Sequence, residues 1–415
     1  MPRQGRAALW IFTPVIVLLL TTGLLATQTI QAQTLTVLHN FTGGGDGAEP
    51  QAGVTMDRAG NLYGTASSGG AGLGTVFRLA RAGSGWVLTP LYSFAGGSDG
   101  AFPQAGVIIG SNGTLYGSTT FGGAGASGTV FNVRPTATAC KSALCPWMET
   151  VLYSFQGGSD GAHPRYGDLV FDPAGNIYGT TYDGGDDDGG TVFELLPSGG
   201  GWTEEVLHRF PSSMDGKGPM SGLVLDATGN LYGTTFKGGQ YEAGTVFSLH
   251  PSGSSWTENT LYSFKDQADG SSPIGGLIFD QSGNLYGSSA DGMSNGGVIF
   301  EMTPQLSGSW TFNVLFGFVY PGDYDCPGPW SSLTADAVGN LYGTAIFDGS
   351  YQNGSVFKLT PSNGGWTYTD LHDFTGQSDG GMPVGGVVLD AQGNLYGTTS
   401  AGGSLNLGVV FEITP

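Results

Sequence analysis

Gly229-Asn230-Leu231-Tyr232-Gly233-Thr234-Thr235 points to the architecture, because this stretch does not stand alone. It or a close variant begins again at Gly60, Gly113, Gly175, Gly283, Gly339 and Gly393, which makes seven copies spaced 53 to 62 residues apart. Self-similarity at that period marks a radial or solenoid architecture, in which each unit buries its apolar face against the next.

One unit is clearest in the fourth copy. It reads SGLVLDATG, NLYGTTFKGGQYEA, GTVFSLHPSGSS and WTENTLYSF from Ser221 onward. Val, Ile, Leu, Tyr and Phe fill four runs, and Gly, Ser, Pro, Asn and Asp fill the gaps, so each unit is expected to be a four-stranded antiparallel meander. Between the first two strands, Asp226 can accept backbone N–H groups while Gly229 takes the positive φ that closes the turn. The same D-x-x-G spacing occurs at Asp57, Asp172, Asp280, Asp336 and Asp390, and only Gly110 breaks it. These aspartates are read as turn formers.

Each third strand carries a Phe, at 77, 131, 193, 247, 300, 357 and 411, and each second strand a Tyr, at 63, 116, 178, 232, 286, 342 and 396. Rings that recur at one position per unit are expected in the core between sheets, each worth about 1.5–3 kcal/mol of burial. Six copies open their fourth strand with Trp, but the seventh stops after its third. Thr34 to Phe41 reads TLTVLHNF and matches the fourth-strand endings LYSF, LHRF and LHDF. The expected fold is therefore all-β: a seven-bladed β-propeller of four-stranded antiparallel blades, closed by an N-terminal strand completing the last blade.

The unit D-x-x-G-N-L-Y-G-T-T followed by a Gly-rich link and G-T-V-F, intact from Asp226 to Phe247, resembles the Gloeo-Verruco (GloVer) tandem repeat. The resemblance extends over nearly all of residues 33–415. It implies an exported bacterial repeat protein and brings no activity or catalytic residue with it. The D-x-x-G-N-L-Y turn is also similar, more weakly, to that of NHL-type propellers.

Residues 1–32 carry Arg3 and Arg6, then a largely apolar run from Ala7 to Leu25, then Ile30-Gln31-Ala32, and are expected to be a signal peptide. An uncleaved anchor is the rival reading, since the run approaches spanning length. The remaining 33–415 form the repeat domain, with no later apolar run or sorting tail before Pro415. A secreted or periplasmic location is expected, with the cell surface as the alternative. Acids outnumber bases 33 to 13, for a net charge of −20, which repels phosphate and excludes nucleic acid and anionic lipid as partners. An extracellular glycan or protein remains open as partner, and a monomer is expected. Cys140 and Cys145, in an insertion of the second copy, are a disulfide candidate in such a compartment, which leaves Cys326 over.

Strand alternation puts the fourth-to-first and second-to-third connections of every blade on one face. The first class, D-G-x-x-P, supplies Asp46, Asp99, Asp160, Asp215, Asp269 and Asp379. The acidic ring could hold Ca²⁺ or a cationic ligand, but the preferred reading makes each Asp a cap of its own turn. Asp186, Asp187 and Asp188 add charge in the third copy without a calcium-loop spacing, and no other cofactor is indicated. In the sixth copy the connection becomes Val319 to Trp330 and brings Tyr320, Tyr324 and Trp330 to the same face, a candidate recognition surface. His163, beside Arg165 and Tyr166, is the single catalytic candidate, for lyase or hydrolase chemistry. No nucleophile, zinc or dinucleotide motif is present. A binding or scaffold module is the leading expectation, and a lyase or hydrolase the runner-up.

Overall fold

The computed structural model describes residues 33–136, 147–211, 214–266, 268–292, 295–320 and 327–414. Within them lie seven four-stranded antiparallel sheets, each built from consecutive strands except the last. Blade one runs through Thr55–Met56, Leu62–Ala66, Thr75–Ala82 and Gly85–Ser93, innermost to outermost. Blade seven has Val388–Leu389, Leu395–Thr399 and Val409–Thr414 from the end of the chain and takes Thr34–Asn40 as its outer strand.

The closing strand copies the others in detail. In six blades the pairing of third and fourth strands shifts by one residue just before the conserved Phe, as between Val76 and Phe77. In blade seven the same bulge falls between Val37 and His39.

The repeated motif has a packing cause. All seven third-strand Phe side chains are fully buried. Each lies over the second glycine of G-N-L-Y-G, where an added Cβ would come within 2.5–2.7 Å of the ring's far carbon. Only glycine leaves room for the ring. A second Phe, at the end of each fourth strand, meets the third-strand Phe of the next blade edge to face at 5.0–5.4 Å. All seven blade interfaces contain this pair, and Phe41 with Phe77 supplies it where the ring closes. Hydroxyls of the T-T segment add polar links: Thr65 donates to the Ala105 carbonyl at 2.7 Å, and Thr398 donates to Ala52 across the closure at 2.6 Å.

Further out, interface chemistry varies between copies. Two residues after the fourth-strand Trp, Phe312 stacks on Tyr262 at 4.0 Å and Tyr368 on Phe316 at 4.3 Å. Blades two to four carry Glu149, Glu204 and Glu258 at this position instead. Burial, with Asp99, Asp160 and Asp215 respectively nearby, pushes all three carboxyls up to about 7. Glu149 and Glu204 each keep one oxygen buried without a hydrogen-bond partner among the described residues.

Candidate functional site

The D-G-x-x-P turns and the second-to-third links do share a face, since they pair with each other, as Ala48 with Ser68 and Ala162 with Asp183. The D-G carboxylates are not gathered into one site there. Asp99 accepts the Ala95 amide and the Tyr92 hydroxyl, and Asp160 and Asp269 repeat this with Gln156 and Tyr153, and with Lys265 and Tyr262. In Asp46 and Asp379 the ring seven residues earlier is His39 or His372, at 2.9 and 3.2 Å. Burial would raise these two carboxyls, but threonine, histidine and amide donors outweigh it and hold them below the usual carboxylate range. Asp215 faces His208, whose ring is pushed by burial toward its neutral form.

Asp186, Asp187 and Asp188 form an exposed turn in which Asp188 accepts the Gly184 amide at 2.7 Å. His163 bonds through Nδ1 to Asp183 at 2.8 Å, with the Arg165 guanidinium 3.8 Å from the same carboxylate and stacked over Tyr182. Tyr320 departs from expectation. After the exposed Val319, strand alternation turns it inward, and it is buried near Phe347 instead of presented to solvent. Tyr324, Cys140, Cys145 and the segment 1–32 lie outside the described residues.

The central channel is where unlike side chains converge. At the last position before each inner strand's buried residue stand Gly53, Gly106, Gly222, Gly276 and Gly386 in five blades, with Ser332 in blade six and Asp168 in blade three. Both polar side chains reach back to the preceding blade: Ser332 Oγ accepts the Gly276 amide at 3.0 Å and Asp168 Oδ1 the Gly106 amide at 2.7 Å. Asp168 is open to the channel yet walled by the strands around it. That burial raises its carboxyl, and the Gly106 amide offsets only part of the effect.

Blade three has one residue more than the others here, PRYGDLVFD against PQAGVTMD in blade one. The extra residue is absorbed by a tight turn in which the Gly167 amide returns to the Arg165 carbonyl and Tyr166 takes φ +33°. Tyr166 thereby meets Trp330 of blade six edge to face, with ring centroids 5.9 Å apart. Blades three and six face each other in a ring of seven, so this contact crosses the channel. Below it lies a cavity of about 340 Å³ lined by Tyr166, Trp330, Asp168, Ser332, Gln51 and inner-strand residues such as Thr55 and Thr334. Of the expected site residues among those described, only Trp330 lines this cavity.

The Gloeobacter/Verrucomicrobia repeat matches residues 20–148, 147–322 and 306–415. The chain belongs to this family. Gloeobacter/Verrucomicrobia repeats thus account for every blade, including the atypical second, third and sixth. No curated protein matches the chain in sequence. Among solved structures it is similar to a gluconolactonase from Xanthomonas campestris, at 15% identity over 75% of this chain and 86% of that one, with TM-score 0.42. It is also similar to the PQQ-bound aldose sugar dehydrogenase from Streptomyces coelicolor, at 15% identity over 79% and 97%, with TM-score 0.46. Likeness at this level bears on neither site nor chemistry. No helix among the described residues is long and apolar enough to cross a membrane.

Proposed function

We propose that this family member is an exported binding module that takes a small neutral sugar or polyol in its central channel. Asp168 beneath the Tyr166–Trp330 contact carries the reading. An otherwise glycine-rich ring presents one carboxyl, one of its oxygens is spent on Gly106, and the aromatic pair supplies an apolar wall above it. A concave site with apolar walls and few convergent polar groups is the usual form of a small-molecule pocket. Hydrolysis of a glycosidic bond needs a second carboxyl facing the first. Asp168 is the one carboxylate among the lining residues, and the His163–Asp183 pair lies outside that lining. Export is the reading that fits the basic and apolar opening of residues 1–32 and the repeat family.

Calorimetric titration with mono- and disaccharides tests this. Wild type should bind at least one of them, and D168G and W330A should each weaken binding by about tenfold, the loss of about 1.4 kcal/mol. Glycine at 168 is what five other blades carry, so D168G should fold. Wild-type affinity in both variants would defeat the proposal.

A further inference from the structure

We propose that the groove between blades two and three is a second ligand site, for a neutral pyranose ring, whose binding phenol is freed by the loss of one aspartate. In six copies the D-x-x-G aspartate takes the hydroxyl of the second-strand Tyr at 3.1–3.4 Å, from Asp57 with Tyr63 to Asp390 with Tyr396. In the second copy Gly110 stands in its place. The Tyr116 ring leans into the vacated space, so that a Cβ on Gly110 would lie 2.9 Å from it. Among the described residues its hydroxyl has no hydrogen-bond partner, and the side chain is only half-buried.

Around that hydroxyl the groove is aromatic. Phe171 and Trp202 meet Tyr116 edge to face at 5.1 and 6.4 Å, and the cavity between the two blades is about 390 Å³, with Ser111 and Asn112 at its rim. In equivalent grooves the phenol is already engaged. Between blades five and six, where a cavity of about 530 Å³ also lies against Phe279, Tyr286 and Trp366, Tyr286 spends its hydroxyl on Glu301 and Asp280. Between seven and one, the Arg81 guanidinium covers Trp86 at 4.6 Å and reaches Tyr396.

A pyranose offers an apolar C–H face to aromatic rings and a hydroxyl edge to a phenol that can both donate and accept. The one cation that influences Tyr116 is Arg134, which opposes the rise that burial imposes on the phenol. Against a chain of net charge −20 it does not make the groove a site for acids.

Saturation-transfer NMR on the full chain, with the methyl pyranosides of glucose, galactose and mannose, tests the assignment. At least one should receive saturation at its ring C–H protons. Y116F should weaken binding about fivefold, for one lost hydrogen bond, and W202A by about tenfold or more. In a D168G/W330A background, where binding in the channel is weakened, the signal should persist, and adding G110D, which restores the usual turn, should then abolish it while melting no lower than its parent; this separates the groove from the channel. The proposal is overturned if none of the pyranosides binds, if G110D and Y116F bind as wild type, if the signal disappears with Asp168 or Trp330, or if methyl glucuronide binds more tightly than the neutral sugars.

Discussion

Raising the pH through neutrality should weaken this protein, and the loss should trace to three side chains. Glu149, Glu204 and Glu258 hold their protons to about 7 in the folded chain, against 4.5 in an unperturbed one. Between those values the folded chain keeps protons that the unfolded chain has released, so stability is greatest below the window and falls as pH rises through it. A tenfold difference in proton affinity is worth about 1.4 kcal/mol, and each glutamate carries two to three such factors. Water reaches these half-buried groups, so roughly half of the sum should survive, about 5 kcal/mol for the three together. Asp370, raised to about 7 by burial and by Asp373 and Asp348, adds in the same direction. At the acid end, Asp57, Asp226, Asp336 and Asp390 titrate below the usual range, because donors in their turns outweigh burial. Their contribution is lost as pH falls below about 4. Urea unfolding followed by tryptophan fluorescence, at pH values of about 5, 6.5 and 8, measures the slope. The triple variant E149Q/E204Q/E258Q should flatten most of it and be the more stable protein at the alkaline end. A triple variant with the wild-type slope, or a wild type equally stable at both ends, would refute the reasoning.

Two further outcomes test the architecture. Deleting residues 33–41 removes a whole strand ladder and the Phe41–Phe77 contact, and should lower the melting temperature by about 10 °C or more; an unchanged melt would sink the closure. Asp226→Ala leaves the Thr228 amide and hydroxyl, the Asn230 amide and side chain, and the Tyr232 hydroxyl without their acceptor, at about 2–3 kcal/mol, read by thermal melting.

The architecture was legible because its causes are local and repeated. Asp-x-x-Gly makes its turn from its own donors, and Gly233 is required by Phe247, fourteen residues away in the adjoining strand. The match of LTVLHNF to the fourth-strand endings placed Thr34–Asn40 correctly, down to the blade it completes. What failed to show is what depends on neighbouring blades. Glu149, Glu204 and Glu258 alternate with exposed residues along an outer strand and look solvated until the preceding blade covers them. Asp168 left one visible trace, the extra residue in PRYGDLVFD, whose length alone could have singled out blade three. Its meeting with blade six is a property of the ring, since Tyr166 and Trp330 lie in segments with no shared pattern. Tyr320 misled for the opposite reason: an irregular segment suggested exposure, yet strand alternation carried on for one residue more and turned the ring inward.

The strand that completes blade seven is hydrogen-bonded to residues up to 380 positions away. A ribosome adding about 5–20 residues per second needs some tens of seconds to cover that distance. For all of that time the first strand has no ladder to join, because the third strand of blade seven does not yet exist. The clasp therefore acts as a timer as well as a lock: a chain cut short before Val409 lacks the strand with which its own beginning pairs. Only a finished molecule can become a ring, and an unfinished one is left with exposed strand edges for proteases to find.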